Sequence, residues 1–425
     1  VKYQSSIDGF VMLEVLRNRS FRRLFTAQVV ALVGTGLLTV ALGLLAYDLA
    51  GDAAGAILGT ALAIKMVAYV AVAPVVSALT DHVPRRTLLV TADAVRVAIA
   101  LLLPLVGQVW QIYVLIFVLQ AASATFTPAF QSVIPSVLEA ERDYTHGLSL
   151  SRLAYDLESL ASPILAAVLL TAISYHSLFV GTAAGFVISA LLVRATALPR
   201  LVAADRATPL LRRITAGARM MLGRPVLRGL LALNLAVAAA TALVVVNTVV
   251  YVRDLLDGSN TSVALALGCY GGGSMVVALL IPALLTCVPD RSLMLIGAGV
   301  LPFGLVSAAV IALAEPATGV GWMLLASTWI VLGAGTSLIN TLSARLLRRQ
   351  SDPGNRTAVF TAQFSLSHAC FLATYPLAGW LGVLAGQGAA ALLLAVLATA
   401  ATGLAVKAWP AREPSTRASA VAATV

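Results

Sequence analysis

Charge is what this sequence has least of. Asp, Glu, Lys and Arg make up 11% of its 425 residues, where soluble domains carry about a quarter. With a mean hydropathy of +0.95, that shortage excludes a soluble globular chain and points to one lying mostly in lipid. Cysteine is scarce too. Cys269, Cys287 and Cys370 all stand in apolar runs, and an odd set at those spacings excludes a disulfide framework or a zinc finger. No G-x-x-x-x-G-K-[ST] loop is present, so ATP is not expected as the energy source. Long polar loops able to hold a catalytic cluster are missing, so the chain reads as no enzyme, and no cofactor is implied. The N-terminus lacks a short apolar core with a small-residue cleavage site, so no removable signal peptide is expected. The net charge of +10 implies no nucleic-acid partner, because the basic residues fall in alternate loops, as membrane topology demands.

What is present is apolar length. Twelve stretches meet the roughly 20 residues a membrane helix needs, near 24–47, 56–79, 88–106, 111–133, 149–173, 177–198, 226–250, 262–287, 292–314, 321–347, 357–385 and 388–408. The fold expected is all-α and polytopic, with twelve transmembrane helices in two pseudo-symmetric six-helix bundles. Residues 1–23 form a basic cytoplasmic lead, 24–198 the first bundle, 199–225 a cytoplasmic linker, 226–408 the second bundle, and 409–425 a disordered cytoplasmic tail. Arg85/Arg86, Arg142, the run Arg200–Arg228, Arg291, Arg348/Arg349/Arg356 and Arg412/Arg417 fall on one side. Asp48, Asp52, His176, Asp254, Asp257 and Glu315 fall on the other, with Arg253 their only basic companion. The positive-inside rule then puts both termini in the cytoplasm of a cell with the chain in its inner membrane. Leu210, Leu211, Ile214 and Met220 among Arg212, Arg213 and Arg219 make the linker an amphipathic surface segment.

The two halves read as copies. Leu79-Thr80-Asp81-His82-Val83-Pro84-Arg85 after span two has a counterpart in Leu285-Thr286-Cys287-Val288-Pro289-Asp290-Arg291 after span eight, and Ser162-Pro163 one in Tyr375-Pro376. Internal repeats meeting at the bilayer midplane are a mark of secondary transporters.

Span five carries Arg152, Asp156 and Glu158, and a charge at a helix centre costs about 2.5–3.5 kcal/mol on insertion scales. Arg152 and Asp156 are four apart and can neutralise each other. Glu158, about 200° further round the helix, is left as the carboxylate free to exchange a proton. The reverse assignment of the two acids stays open. Of the three lysines only Lys65 lies deep within a span, about 13 Å in at 1.5 Å per residue. His368 reaches a similar depth in span eleven. Tyr155, Asn234, Asn247, Gln363 and Tyr375 are further candidates for a cavity wall. Asp93 and Arg96, three apart in span three, share a face as a structural ion pair.

The loop Ser77-Ala78-Leu79-Thr80-Asp81-His82-Val83-Pro84-Arg85-Arg86 resembles the G-x-L-a-D-r-x-G-r-[KR] signature of the major facilitator superfamily. Asp81, Arg85 and Arg86 match in place, while Ser77 and Pro84 stand where that signature has glycine and His82 where it has arginine. The resemblance implies the major facilitator fold. It makes Asp81, Arg85 and Arg86 a gating loop, puts Asp93 and Arg96 in a peripheral span supporting that loop, and sets spans two and eleven side by side, so that Lys65 and His368 can meet across the halves. Three stretches, Ala63–Ala71, Leu119–Pro128 and Leu150–Ser159, look like the NreB/NrsD-type nickel-resistance exporters, a branch near the macrolide and siderophore exporters. That resemblance implies export of a divalent metal such as nickel or cobalt, with Glu158 and His368 as its ligands. The tail from Lys407 has no histidine, where those exporters often carry a His-rich one.

The function expected is a proton-coupled efflux permease for a small toxic solute, working by alternating access as a monomer, with protons, the lipid bilayer and a small-molecule or metal-ion substrate as its partners. A drug or siderophore exporter of the same fold is one alternative, and a non-transporting membrane scaffold or sensor another.

Overall fold

The structure, a computed structural model, describes residues 14–50, 54–80, 82–198, 209–314 and 316–409. Among them no strand forms. The long helices are α1 Arg19–Ala50, α2 over 54–79, α3 Arg85–Leu102, α4 Val109–Val137, α5 Glu141–Leu170, α6 Tyr175–Arg194, α7 Pro225–Leu255, α8 Asn260–Cys287, α9 Asp290–Ala314, α10 Thr318–Arg349, α11 Arg356–Ala385 and α12 Gln387–Ala408. Eleven of the described helices are long and apolar enough to cross a membrane, and α5 is 30 residues long. It begins at Glu141 rather than the expected 149, because Glu141 and Asp143 in its first turn suit the positive end of the helix dipole. Two short helices, Leu210–Ile214 and Ala216–Gly223, form the linker.

α1 to α6 make one bundle, with α1 against α5 and α6 and α3 against α4 and α6. α7 to α12 make the second, with α10 against α8 and α9 and α7 against α11 and α12. Their interiors differ. The second bundle has one continuous apolar core around Leu233, Tyr251, Trp329, Leu342 and Leu394. The first has two, one near the linker side around Phe21, Leu89 and Phe130 and one toward the far side around Leu45, Ile112 and Phe179.

Small residues let helices of one bundle touch. A Cβ on Gly273 of α8 would sit 2.1 Å from the Ile330 carbonyl oxygen of α10, and one on Gly333 of α10 1.9 Å from that of Tyr270. The run Gly271-Gly272-Gly273 thus includes a close-packing point.

Between the bundles, α5 packs on α8 and α10, and α11 packs on α2 and α4. The α2 surface here is shaped by a π turn over Ala68–Val72, just before Pro74. In that register the Tyr69 carbonyl faces the nitrogen of Pro74, which has no hydrogen to give. Ser365 of α11 supplies the donor instead, its Oγ lying 3.0 Å from the Tyr69 oxygen.

Candidate functional site

Two seams join the bundles, and the candidate residues sort between them. Along α2 and α11, Tyr69 sits edge-on to His368, centroids 4.7 Å apart, and 4.9 Å from Phe364. His368 donates from Nδ1 to the Phe364 carbonyl oxygen at 2.7 Å, which leaves Nε2 as an acceptor. The Lys65 ammonium lies over the Tyr69 ring, 5.6 Å from its centroid. Its charge acts on His368 and on Glu158 of α5 without forming an ion pair with either. Lys65, Glu158 and His368 therefore share one electrostatic neighbourhood, supplied by three helices of two bundles. Glu158 accepts a hydrogen bond from Ser162 Oγ at 3.4 Å. α1 closes over this pair through Gly36, where a Cβ would stand 2.0 Å from Ser162 Oγ and 2.8 Å from Glu158 Oε1.

Aromatic rings continue the wall. Phe371 follows His368 at 6.0 Å and Tyr375 follows Phe371 at 5.4 Å. Tyr155 is 36% exposed and hydrogen-bonds Gln28 of α1. Gln363 Oε1 and Asn234 Nδ2 are buried with no hydrogen-bond partner among the described residues. Asn247 is placed differently from the cavity wall expected of it. It is 2% exposed and bonds the Ala378 carbonyl at 3.2 Å and the Gln387 side chain, fastening α7 to α11 and α12.

Arg152 and Asp156 pair at 2.9 Å, but the pair is not closed within its helix. Ser274 of α8, fully buried, donates to Asp156 Oδ2 at 2.7 Å and accepts from Arg152 at 2.9 Å. One hydroxyl thus ties the two ions to the other bundle. Asp93 and Arg96 pair at 2.7 Å. Their surroundings differ from the loop support expected: Ser189 of α6 donates to Asp93 at 2.8 Å, and the guanidinium lies between Phe126 of α4 at 4.8 Å and Phe186 of α6 at 4.1 Å. The pair bolts α3 to α4 and α6. Asp81 lies outside the described residues, so the loop expected to gate is represented by Arg85, buried at the start of α3, and Arg86, exposed beside it.

An ionic cluster at the linker side was missed from sequence. Arg345 of α10 bonds Asp290 of α9 at 3.1 Å and Glu141 of α5 at 3.0 Å, and Arg349 bonds Glu141 at 2.7 Å and also Asp290. Arg345 reaches Thr145 and Arg348 the Glu139 carbonyl, while Tyr144 donates to the Ala344 carbonyl at 3.1 Å. The signal lay in the duplication, since Asp290 stands in the second copy of the Val-Pro loop. No helical spacing links Glu141 to residues two hundred positions on.

Among the described residues no three His, Cys, Asp or Glu side chains gather as metal ligands. Glu158 and His368, the expected nickel ligands, have no third donor of that kind grouped with them among the described residues, and His368 has one nitrogen committed to the backbone. Cys287 is exposed at the end of α8, while Cys269 and Cys370 are half-buried, and all three are free.

Residues 24–327 match the family model of the Major Facilitator Superfamily. The chain belongs to that superfamily. Macrolide efflux protein A of Streptococcus pyogenes, and the same protein of its serotype M6, are each 24% identical to it over 186 residues, 43% of this chain and 45% of theirs. The match thus spans less than half the length of these relatives. Solved superfamily structures share the fold at low identity. The human organic anion transporter MFSD10 has a TM-score of 0.70 at 12% identity, covering 91% of this chain and 99% of its own. The fucose:proton symporter of E. coli scores 0.71 at 14%, covering 92% and 98%. A bacterial homologue of the iron transporter ferroportin, in an outward-facing state, scores 0.71 at 15%, covering 91% and 98%. In superfamily terms the site joins helices two and five of the first bundle to helix eleven of the second.

Proposed function

We propose that this superfamily member exports a largely apolar organic solute bearing a basic group, in exchange for protons, by alternating access. The observation that carries the reading is the shared neighbourhood of Lys65, Glu158 and His368 between the bundles. Glu158 is the carboxylate there outside a salt bridge, and a basic solute and a proton would compete for it. The rings of Tyr69, Phe364, Phe371 and Tyr375 suit an apolar body better than a hydrated metal ion. The efflux relatives in Streptococcus support the direction and the class of solute. Nickel or cobalt is the weaker reading, because among the described residues no further donor of their kind groups with Glu158 and His368.

The positive-inside rule supports a cytoplasmic linker side, with both termini there. On that orientation the state described is shut toward the cytoplasm by the cluster of Glu141, Asp290, Arg345 and Arg349. A proton arriving from outside would neutralise Glu158 and release the solute outward. The bundles would then rock apart at the linker side and expose the site to the cytoplasm. Exchange of one proton for one singly charged solute moves no net charge, so the driving force is the pH difference, about 1.4 kcal/mol per pH unit.

A resistance panel in a sensitive host tests this, setting macrolides and cationic dyes against nickel and cobalt, with Glu158→Gln and Lys65→Ala beside the parent. Protection against macrolides or dyes that Glu158→Gln abolishes is the expected result. Protection against the metals alone would replace the organic reading, and unchanged protection in both variants would remove Glu158 and Lys65 from the mechanism.

A further inference from the structure

The linker does more than connect. Its second helix lies directly on α11: a Cβ on Gly217 would stand 2.1 Å from the Ala358 carbonyl oxygen. Arg213, ahead of that helix, donates to the Ala78 carbonyl near the end of α2. The linker therefore bridges α2 and α11 at the same end where Thr361 donates to Ser77 at 3.2 Å. Beneath it lies a cleft of about 540 Å³, walled by α2, α11, the start of α3 and the linker helices.

The lining of this cleft is divided by chemistry. Arg85, Arg212, Arg213 and Arg219 are among its lining residues, and among the described residues no Asp or Glu lines it. Val70, Pro74, Met220 and Leu366 supply an apolar part. Next to it the first linker helix exposes Leu210 and Leu211, 44% and 73% accessible, on the side of the molecule that holds the basic loops. Guanidinium groups match phosphate oxygens in a forked, two-point geometry. Exposed leucines beside arginines suit a helix lying in the interface of an anionic leaflet.

We propose that this cleft binds the phosphate headgroup of an acidic phospholipid, with the start of its acyl chains along the apolar part. The occupant would touch α2 and α3 of one bundle and α11 of the other together. It would thereby hold the linker-side seam closed, so that membrane composition sets how readily the transporter opens on that side. The inference does not depend on what the transporter carries.

The test uses the full chain in detergent, with bound lipid counted by native mass spectrometry as phosphatidylglycerol, phosphatidylcholine or inorganic phosphate is added. The expected result is retention of phosphatidylglycerol over phosphatidylcholine, falling by about tenfold or more in the double variant Arg212→Ala/Arg219→Ala. Arg212→Lys/Arg219→Lys, which keeps the charge, should recover much of the loss and shows that the linker still folds. In nanodiscs, spin labels on α2 and α11 at the linker end should report a larger closed fraction with phosphatidylglycerol than with phosphatidylcholine, and no such gain in the alanine pair. Equal retention of the two lipids, or of phosphatidylglycerol by parent and alanine pair, would overturn the proposal. Competition by millimolar inorganic phosphate as strong as by the lipid would make the cleft a free-anion site and overturn the lipid assignment.

Discussion

The two seams between the bundles are built from different chemistry. Along α5 the contacts with α8 and α10 are ionic: Arg152 and Asp156 converge on Ser274, and Glu141 meets Arg345 and Arg349. Along α2 and α4 the contacts with α11 are rings and hydroxyls: Tyr69 against Phe364 and His368, Thr361 against Ser77, and Thr357 against Ser132 at 3.4 Å. An ionic seam is strong while complete and costly when half-broken, because a buried ion without its partner has nowhere to go. A seam of rings and hydroxyls loses a little with each contact and tolerates change of shape. The first is suited to hold a state and release it in one step, the second to accommodate what passes beside it. The candidate site lies between them, with Glu158 on the ionic side and Lys65 and His368 on the aromatic side.

The sharpest way to break the comparison is Arg345→Ala. It takes from Asp290, 8% exposed, the buried one of its two arginines and leaves Arg349 on it, so the loss approaches without reaching the roughly 3–5 kcal/mol of a buried ion left wholly unpaired. The linker-side ends of α5 and α10 should move apart, which double electron–electron resonance between labels there would read, with transport falling as the closed state empties. Unchanged distances would mean that the cluster is not what shuts this side. Ser274→Ala comes next. It leaves Asp156 and Arg152 paired but unties both from α8, an effect of about 1–3 kcal/mol for a buried hydrogen-bonding group left short. Turnover should slow while solute affinity stays near its parent value; the opposite split would move Ser274 from the seam into the binding site.

On the aromatic side, Tyr69→Ala removes two ring pairs worth about 0.5–1.5 kcal/mol each, whereas Tyr69→Phe keeps them. Binding of large apolar solutes, measured by fluorescence or isothermal titration, should weaken in the first and hold in the second. Equal loss in both would assign the role to the hydroxyl. Smallest of all, Thr361→Val deletes one half-buried hydrogen bond to Ser77 and should cost no more than about 0.5–1.5 kcal/mol in the closed state. A loss as large as that of Arg345→Ala would erase the distinction between the seams.

Much of the fold was legible because apolar length and loop charge are local quantities. The starts and ends of α2, α8, α9, α11 and α12 fall within two residues of the stretches read from hydropathy. The start of α5 was misplaced because hydropathy drops where Glu141, Arg142 and Asp143 enter, although acids are at home in a first turn. At the site, spacing identified the partners within a helix: Arg152 with Asp156, and Asp93 with Arg96. It could say nothing of Ser274, an ordinary serine in an apolar run, nor of Gly36, whose use appears only when α5 lies against it.

By itself, then, the sequence determined that this chain lives in a membrane, in two sets of helices, with ions set inside long apolar stretches. Those follow from hydrophobicity, repeat and helical pitch, each readable along one strand of chain. Only the tertiary structure decided which ion meets which partner. A helix fixes what stands three or four residues apart, while the contacts that join Glu141 to Arg345, Asp156 to Ser274 and Tyr69 to His368 are fixed by how separate helices dock. Span five entered as a helix with three unexplained ions; packing assigns two of them to the seam with α8 and leaves Glu158 in the neighbourhood of Lys65.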